Sequence, residues 1–253
     1  MLRAHLSSAA LSAAFLLGTG AACGNRATDG DTVHVFAASS LARFLDAYAK
    51  HADGHAPTFT TQVDASSRLA RSIDAGANAD VMISADEEWI DWLDKRGHLE
   101  PGTRVPFATN RLVIVFAEAS KRRAEDLLDV ERIAMPDDHV PLGRYGHDAL
   151  VKYGLWERVR GRVVTTENAQ ATFAWFERRE VGAAIVYATD ARKLTNAGSV
   201  TVPESFHTPV RYTGAVLKDA KHKEAAKKWL HALTLERART ILRDEGFEVP
   251  RGN

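Results

Sequence analysis

The 253-residue chain carries 33 basic and 33 acidic side chains, for a formal net charge of zero. That balance supplies no basic face to displace counterions from a phosphate backbone, which excludes a nucleic-acid binder. Charged residues make up 26% and hydrophobic residues 45% of the chain, a soluble globular composition, and the length fits one large domain or two lobes of about 100 residues each.

The chain opens with a short basic start, Met1-Leu2-Arg3-Ala4-His5. An apolar run over 9–18 and then Thr19-Gly20-Ala21-Ala22-Cys23 follow. Basic start, short apolar segment and small-residue exit make a secretory signal over 1–22. The run is shorter than the ~20 residues that span a bilayer, and no second such run follows. Cys23 is the only cysteine, so no intramolecular disulfide is expected. Its position resembles the lipidated cysteine of a bacterial lipoprotein, although Gly20 stands where such signals carry an aliphatic residue; the alternative is a plain signal peptide cut after Ala22 or a little later. Residues 23–31 read as a polar tether. The expected location is periplasmic or extracytoplasmic, with Cys23 as a candidate membrane anchor.

From residue 32 strand and helix alternate. Residues 32–37 are β-rich and apolar, and Leu41, Phe44, Leu45, Tyr48 and Ala49 then follow helical spacing. Residues 58–63 predict a strand, 66–75 a helix stopped by Gly76, 80–84 a strand, and 87–96 a helix with Trp89, Trp92 and Leu93 on one side. Three consecutive βα units predict a parallel sheet with right-handed crossovers. A second set begins with a strand over 111–117 and continues with strands over 132–135, 162–165 and 183–187 and helices over 142–153 and 169–179. A late strand over 210–217 and helices over 223–233 and 236–244 finish the chain. The pattern predicts an α/β fold of two doubly wound lobes: 32–108 plus 209–253, and 109–208, with a hinge near Ala108-Thr109 and Thr208-Pro209.

Four predicted helix starts share one chemistry: Ala38-Ser39-Ser40, Ala65-Ser66-Ser67, Val140-Pro141-Leu142 and Glu167-Asn168-Ala169. Each presents backbone N–H groups at the positive end of a helix dipole and can bind an anion without lysine or arginine. In a doubly wound sheet these ends lie at the carboxyl edges of strands, where ligands bind. A single Ser-rich helix start is usually only an N-cap; function requires several to converge.

Several segments occur in an order that resembles the molybdate-binding proteins of ABC importers. They are Phe36 to Leu41, Leu69 to Ala77, Ala79 to Asp86, His139-Val140-Pro141 with Gly143, and Ile185 to Ala191. The resemblance extends to Glu245-Gly246-Phe247, nearly the whole chain after the leader. It implies a two-lobed periplasmic binding protein of type II, without cofactor or metal ligands, acting as a monomer with membrane permease subunits and no catalysis. It implies that molybdate or tungstate sits between the lobes, held by donors alone: the hydroxyls and N–H groups of Ser40 and Ser66, the N–H groups of Leu142 and Ala169, and the Tyr187 hydroxyl. Ser66 is preferred to Ser67 on its spacing to Leu69-Ala70-Arg71, and Ser39 is not counted as a ligand.

The alternatives are another anion, such as sulfate, thiosulfate or an organic acid, and an enzyme. An organic carboxylate would recruit an arginine fork, for which Arg68 and Arg144 stand in place; they are expected to face solvent as ordinary helix residues. Asp64, Glu167 and Asp190 would weaken a donor-only site if they pointed inward. No nucleophile elbow, S-x-x-K motif or metal-binding histidine cluster is visible in the sequence. His34, His139 and His207 read as packing or surface residues, and the tryptophans as core.

Overall fold

The structure, a computed structural model, describes residues 32–51 and 57–250. The leader, Cys23 and the tether lie outside the described residues. Two five-stranded mixed sheets form two lobes. The first has the order β2 (Phe59–Asp64), β1 (Val33–Ala38), β3 (Val81–Ser84), β10 (Val210–Val216), β4 (Val105–Asn110). The second has the order β7 (Val163–Thr166), β6 (Ile133–Pro136), β8 (Ala183–Tyr187), β5 (Leu112–Phe116), β9 (Gly198–Thr201).

The predicted βα units pair in parallel, β1 with β2 and β3, and β6 with β7 and β8. The remaining strands run antiparallel: β10 against β3 and β4, and β5 against β8 and β9. Two of these, β4 and β9, are absent from the sequence reading. Each is an edge strand carrying Pro106 or Gly198, residues that weaken the strand signal. The first crossing between lobes also shifts. Thr109 and Asn110, placed in the second lobe by the sequence, pair with Arg211 and Val210 in the first sheet, so the chain crosses at Arg111. It returns through residues 202–209.

Helices cover the sheets: α1 (Ala42–Lys50), α2 (Ser66–Asp74), α3 (Glu88–Lys95), α8 (Lys223–Ala232) and α9 (Glu236–Asp244) on the first lobe. On the second lobe lie α4 (Pro141–Lys152), α5 (Trp156–Val159), α6 (Ala169–Glu177) and α7 (Ala188–Ala191). Both faces of the inner strands are buried, as helix-covered sheets require. Leu112, Ile114 and Phe116 of β5 enter one apolar cluster, and Val113 and Val115 enter another against Phe173 and Phe176 of α6. The first cluster is continuous from one lobe to the other, joining Leu112 and Tyr187 to Tyr212 and Phe247. Gly76, at φ +94°, stops α2 as read from the sequence.

Candidate functional site

All five residues singled out in the sequence line one small pocket between the lobes. Ser40 and Ser66 come from the first lobe, Leu142, Ala169 and Tyr187 from the second, and Ala38, Ser39, Asp64, Ala65, Ala85, Val140 and Pro141 complete the wall. The strand order explains the meeting. β1, β2, β6, β7 and β8 all end at the cleft, and the helix that follows each of β1, β2, β6 and β7 begins there.

The serines are not N-caps. The cap positions are Ala38, Ala65 and Val140, and none makes a side-chain capping bond. Serine, threonine, asparagine or aspartate at a cap is worth ~1 kcal/mol over alanine, so three uncapped helix starts around one pocket leave their first N–H groups to a ligand. Pro141 has no N–H to lose at the first position of α4, which makes Leu142 the first donor of that helix. At the fourth start Asn168 caps α6 through Ala171 N–H at 3.0 Å, away from Ala169.

Two of the three hydroxyls are tied into protein hydrogen bonds and the third is unpaired. Asn110 Nδ2 donates to the Tyr212 hydroxyl at 3.3 Å, and its orientation is fixed because Asn110 Oδ1 accepts from Arg111 N–H at 2.9 Å. The Tyr212 hydroxyl and Ser40 Oγ are hydrogen-bonded at 2.9 Å, and either can donate. With Tyr212 as the donor, Ser40 keeps its own proton for a ligand. Ser66 is arranged alike: Ala85 N–H donates to its Oγ at 3.1 Å, leaving the Ser66 proton free. Tyr187 is 1% exposed, and its buried hydroxyl has no partner. Such an unpaired group costs roughly 1–3 kcal/mol. Burial first, then the neighbouring tyrosines and acids, keep this phenol protonated far above its ordinary range, so it is a donor at any working pH.

Asn110 and Tyr212 were missed by the sequence reading. Their roles depend on pairing between distant strands, and Tyr212 reads from the sequence as one more apolar β residue.

Among the described residues lining the pocket, Asp64 is the only charged one. Its carboxylate is occupied: Oδ1 accepts from Ala65 N–H at 2.7 Å and Asn168 Nδ2 at 3.0 Å, and Oδ2 from Arg68 Nη1 at 3.0 Å. Arg68 points outward, its side chain 54% exposed. Arg144 does not face solvent as expected. It crosses the cleft to Asp86 and, at 2.8 Å, to Glu88, because two carboxylates of the first lobe lie opposite the first turn of α4. Neither arginine lines the pocket. The His139 side chain is exposed, and only its carbonyl takes part, accepting from Trp89 Nε1 at 3.2 Å. Trp89 is thus a cross-cleft contact as well as core. Tyr145 donates to Ala85 O at 3.2 Å, again from one lobe to the other.

Two tests follow. A Cβ on Gly143 would lie 1.9 Å from Asp137 O and 2.5 Å from Pro136 O, so Gly143→Ala must displace the start of α4. The expected cost is ~1–3 kcal/mol, or a fall in Tm of about 2–4 °C per kcal/mol; an unchanged melting curve would contradict the close packing. Asp190 sits outside the pocket, and burial, against Arg43 and with Glu177, raises its pKa to about 7. A folded-state pKa above the unfolded one makes its contribution harmless at acid pH and increasingly destabilising as pH rises toward 7. Urea unfolding should therefore show wild type losing stability between about pH 4 and pH 7 relative to Asp190→Asn, and parallel profiles would refute the shift.

Against known proteins, residues 33–248 match the family model described as "Bacterial extracellular solute-binding protein". The molybdate-binding protein ModA of Escherichia coli is 32% identical over 90% of this chain and 93% of its own. That of Haemophilus influenzae is 30% identical over 86% and 90%. Among solved structures, the periplasmic molybdate-binding protein of Azotobacter vinelandii superposes with a TM-score of 0.79, covering 87% of this chain and 100% of its own at 21% identity, a likeness of fold. The chain belongs to the bacterial extracellular solute-binding proteins, and to the ModA family among them.

Proposed function

We propose that this protein is the extracytoplasmic substrate-binding component of an ABC importer, and that it captures molybdate, or its near twin tungstate, between its lobes. The observation that carries the reading is the donor-only pocket. The hydroxyl-bearing Ser40, Ser66 and Tyr187 and the starts of four helices line it, and its single carboxylate already accepts three protein hydrogen bonds. Two relatives that span most of the chain are named for molybdate binding.

Molybdate and tungstate are fully deprotonated dianions at neutral pH, so every oxygen is an acceptor. Hydrogen phosphate keeps a proton and needs a protein acceptor, and Asp64, the one carboxylate at the pocket, already accepts three hydrogen bonds from the protein. An organic carboxylate needs a fork of charged donors, and Arg68 and Arg144 are committed elsewhere. Seven donors are assigned: hydroxyl and N–H from each of Ser40 and Ser66, N–H from Leu142 and Ala169, and the Tyr187 hydroxyl. Each contributes ~1.5–3 kcal/mol to a charged acceptor. After dehydration and ordering costs, a net of about −8 to −12 kcal/mol gives micromolar to nanomolar affinity.

Binding is coupled to closure. The anion bridges the lobes beside Asn168–Asp64, Arg144–Asp86 and Trp89–His139, and the hinge strands at Arg111 and residues 202–209 let the lobes part. The permease subunits read the closed form. No chemical step is assigned to the pocket: it binds and releases. Cys23, if lipidated, anchors the protein to the membrane from which it delivers its ligand.

Isothermal titration of the purified, ligand-free protein should give one molybdate per chain, with phosphate bound more weakly, and a sulfate control separates molybdate from the alternative ligand. Ser40→Ala and Tyr187→Phe should each weaken molybdate roughly 10–100-fold. Tyr187→Phe should at the same time raise the Tm of the ligand-free protein, since it removes an unpaired buried hydroxyl. Folded protein that ignores molybdate would overturn the reading.

A further inference from the structure

The sheet edge opposite the anion pocket holds a second constellation. His34 lies at the start of β1, Asp80 immediately before β3, and His222 immediately before α8. A nitrogen of each imidazole and a carboxylate oxygen of Asp80 lie within 4.8 Å of one another. Their separation in sequence, 34, 80 and 222, hides the group from any motif search. Ser40 is six residues along from His34, so the two sites are about 15–20 Å apart at the strand rise.

Asp80 is 1% exposed. Its Oδ2 accepts from His34 N–H at 2.9 Å and lies 3.0 Å from His222 Nδ1, and its Oδ1 accepts from His222 N–H at 3.0 Å. As a structural latch joining β1, β3 and α8 this carboxylate needs the two backbone N–H groups and one imidazole. The second imidazole is superfluous to such a latch. His34 is exposed, its Nδ1 engages Thr60 Oγ1 at 2.9 Å, and its ring centroid is 6.0 Å from that of His222 at an inclination of 49°. The two rings therefore flank the carboxylate without stacking.

His34 Nδ1 engages the Thr60 hydroxyl, the kind of contact that orients a metal-binding histidine. His222 Nδ1 and Asp80 Oδ2 already face one another at 3.0 Å, so an ion there takes the place of the proton they share. Ligand atoms around a tetrahedral zinc ion stand about 3.4 Å apart, from bonds of 2.0–2.1 Å. The candidate ligand atoms, all within 4.8 Å of one another, must draw closer to reach that spacing. His34 and Asp80 also line a cleft of ≈ 350 Å³, which leaves room for water on the open side of an ion.

We infer that His34, Asp80 and His222 form a binding site for a divalent transition metal of the zinc type, separate from the anion pocket. Two imidazoles and a carboxylate suit Zn²⁺, Ni²⁺ or Cu²⁺ better than Mg²⁺ or Ca²⁺, which take oxygen ligands.

The test is isothermal titration of the purified protein, free of any polyhistidine tag, with zinc chloride in a non-chelating buffer. One zinc per chain is expected. His34→Ala and His222→Gln should each weaken it about tenfold or more, while Ser40→Ala binds zinc as wild type does. His34 is exposed and its removal spares the fold; thermal melting checks that both variants remain folded. The inference is overturned if zinc gives no saturable binding, or if either folded histidine variant binds zinc as tightly as wild type. Neither result bears on molybdate binding.

Discussion

A hydrogen-bond donor buried without an acceptor costs free energy, and this protein gathers several of them around one point. The Tyr187 hydroxyl has no partner, and three helices begin at alanine or valine caps that offer their N–H groups nothing. A chain that spent its Ser-rich segments on capping would be more stable by about 1 kcal/mol per helix. Here the serines stand one position later, inside the first turn, where their hydroxyls face the cleft. The deficit is the physical sign of a missing acceptor, and a small dianion satisfies it.

The fold exists to hold those donors still. Asn110, at the end of β4, donates to the Tyr212 hydroxyl that is bonded to Ser40, and the same strand end leads through Arg111 into the second lobe. The residue that holds the first serine's partner thus sits at the pivot. Across the mouth, charge is used for closure. Arg144 binds Asp86 and Glu88, and Arg68 holds Asp64 from outside. The donors of the pocket are neutral, and its one charged wall residue, Asp64, is tied to protein donors.

Much of this was legible in the sequence, for identifiable reasons. The βα units announce themselves by period and by Gly76, and Ser40, Ser66, Leu142, Ala169 and Tyr187 fall at strand–helix junctions that any doubly wound sheet brings to one edge. What the sequence could not carry was pairing between distant strands. The edge strands β4 and β9 carry a proline or glycine that masks them. Because β4 was unseen, the crossing was drawn two residues early and Asn110 and Tyr212 were passed over. Arg144 looked like a surface residue because its partners, Asp86 and Glu88, belong to the other lobe. The grouping of His34 with His222 depends on β1 and α8 meeting at one sheet edge, which no local pattern reveals.

The central claim is that this one pocket holds a tetrahedral oxyanion through uncharged donors from both lobes. Diffraction from crystals grown with molybdate, recorded at the molybdenum absorption edge, tests it most directly. The account predicts a single anomalous peak bordered by Ser40, Ser66, Leu142, Ala169 and Tyr187, with Tyr187 Oη within hydrogen-bond distance of a molybdate oxygen. A peak elsewhere, or an arginine drawn into the pocket to meet the anion, would contradict it.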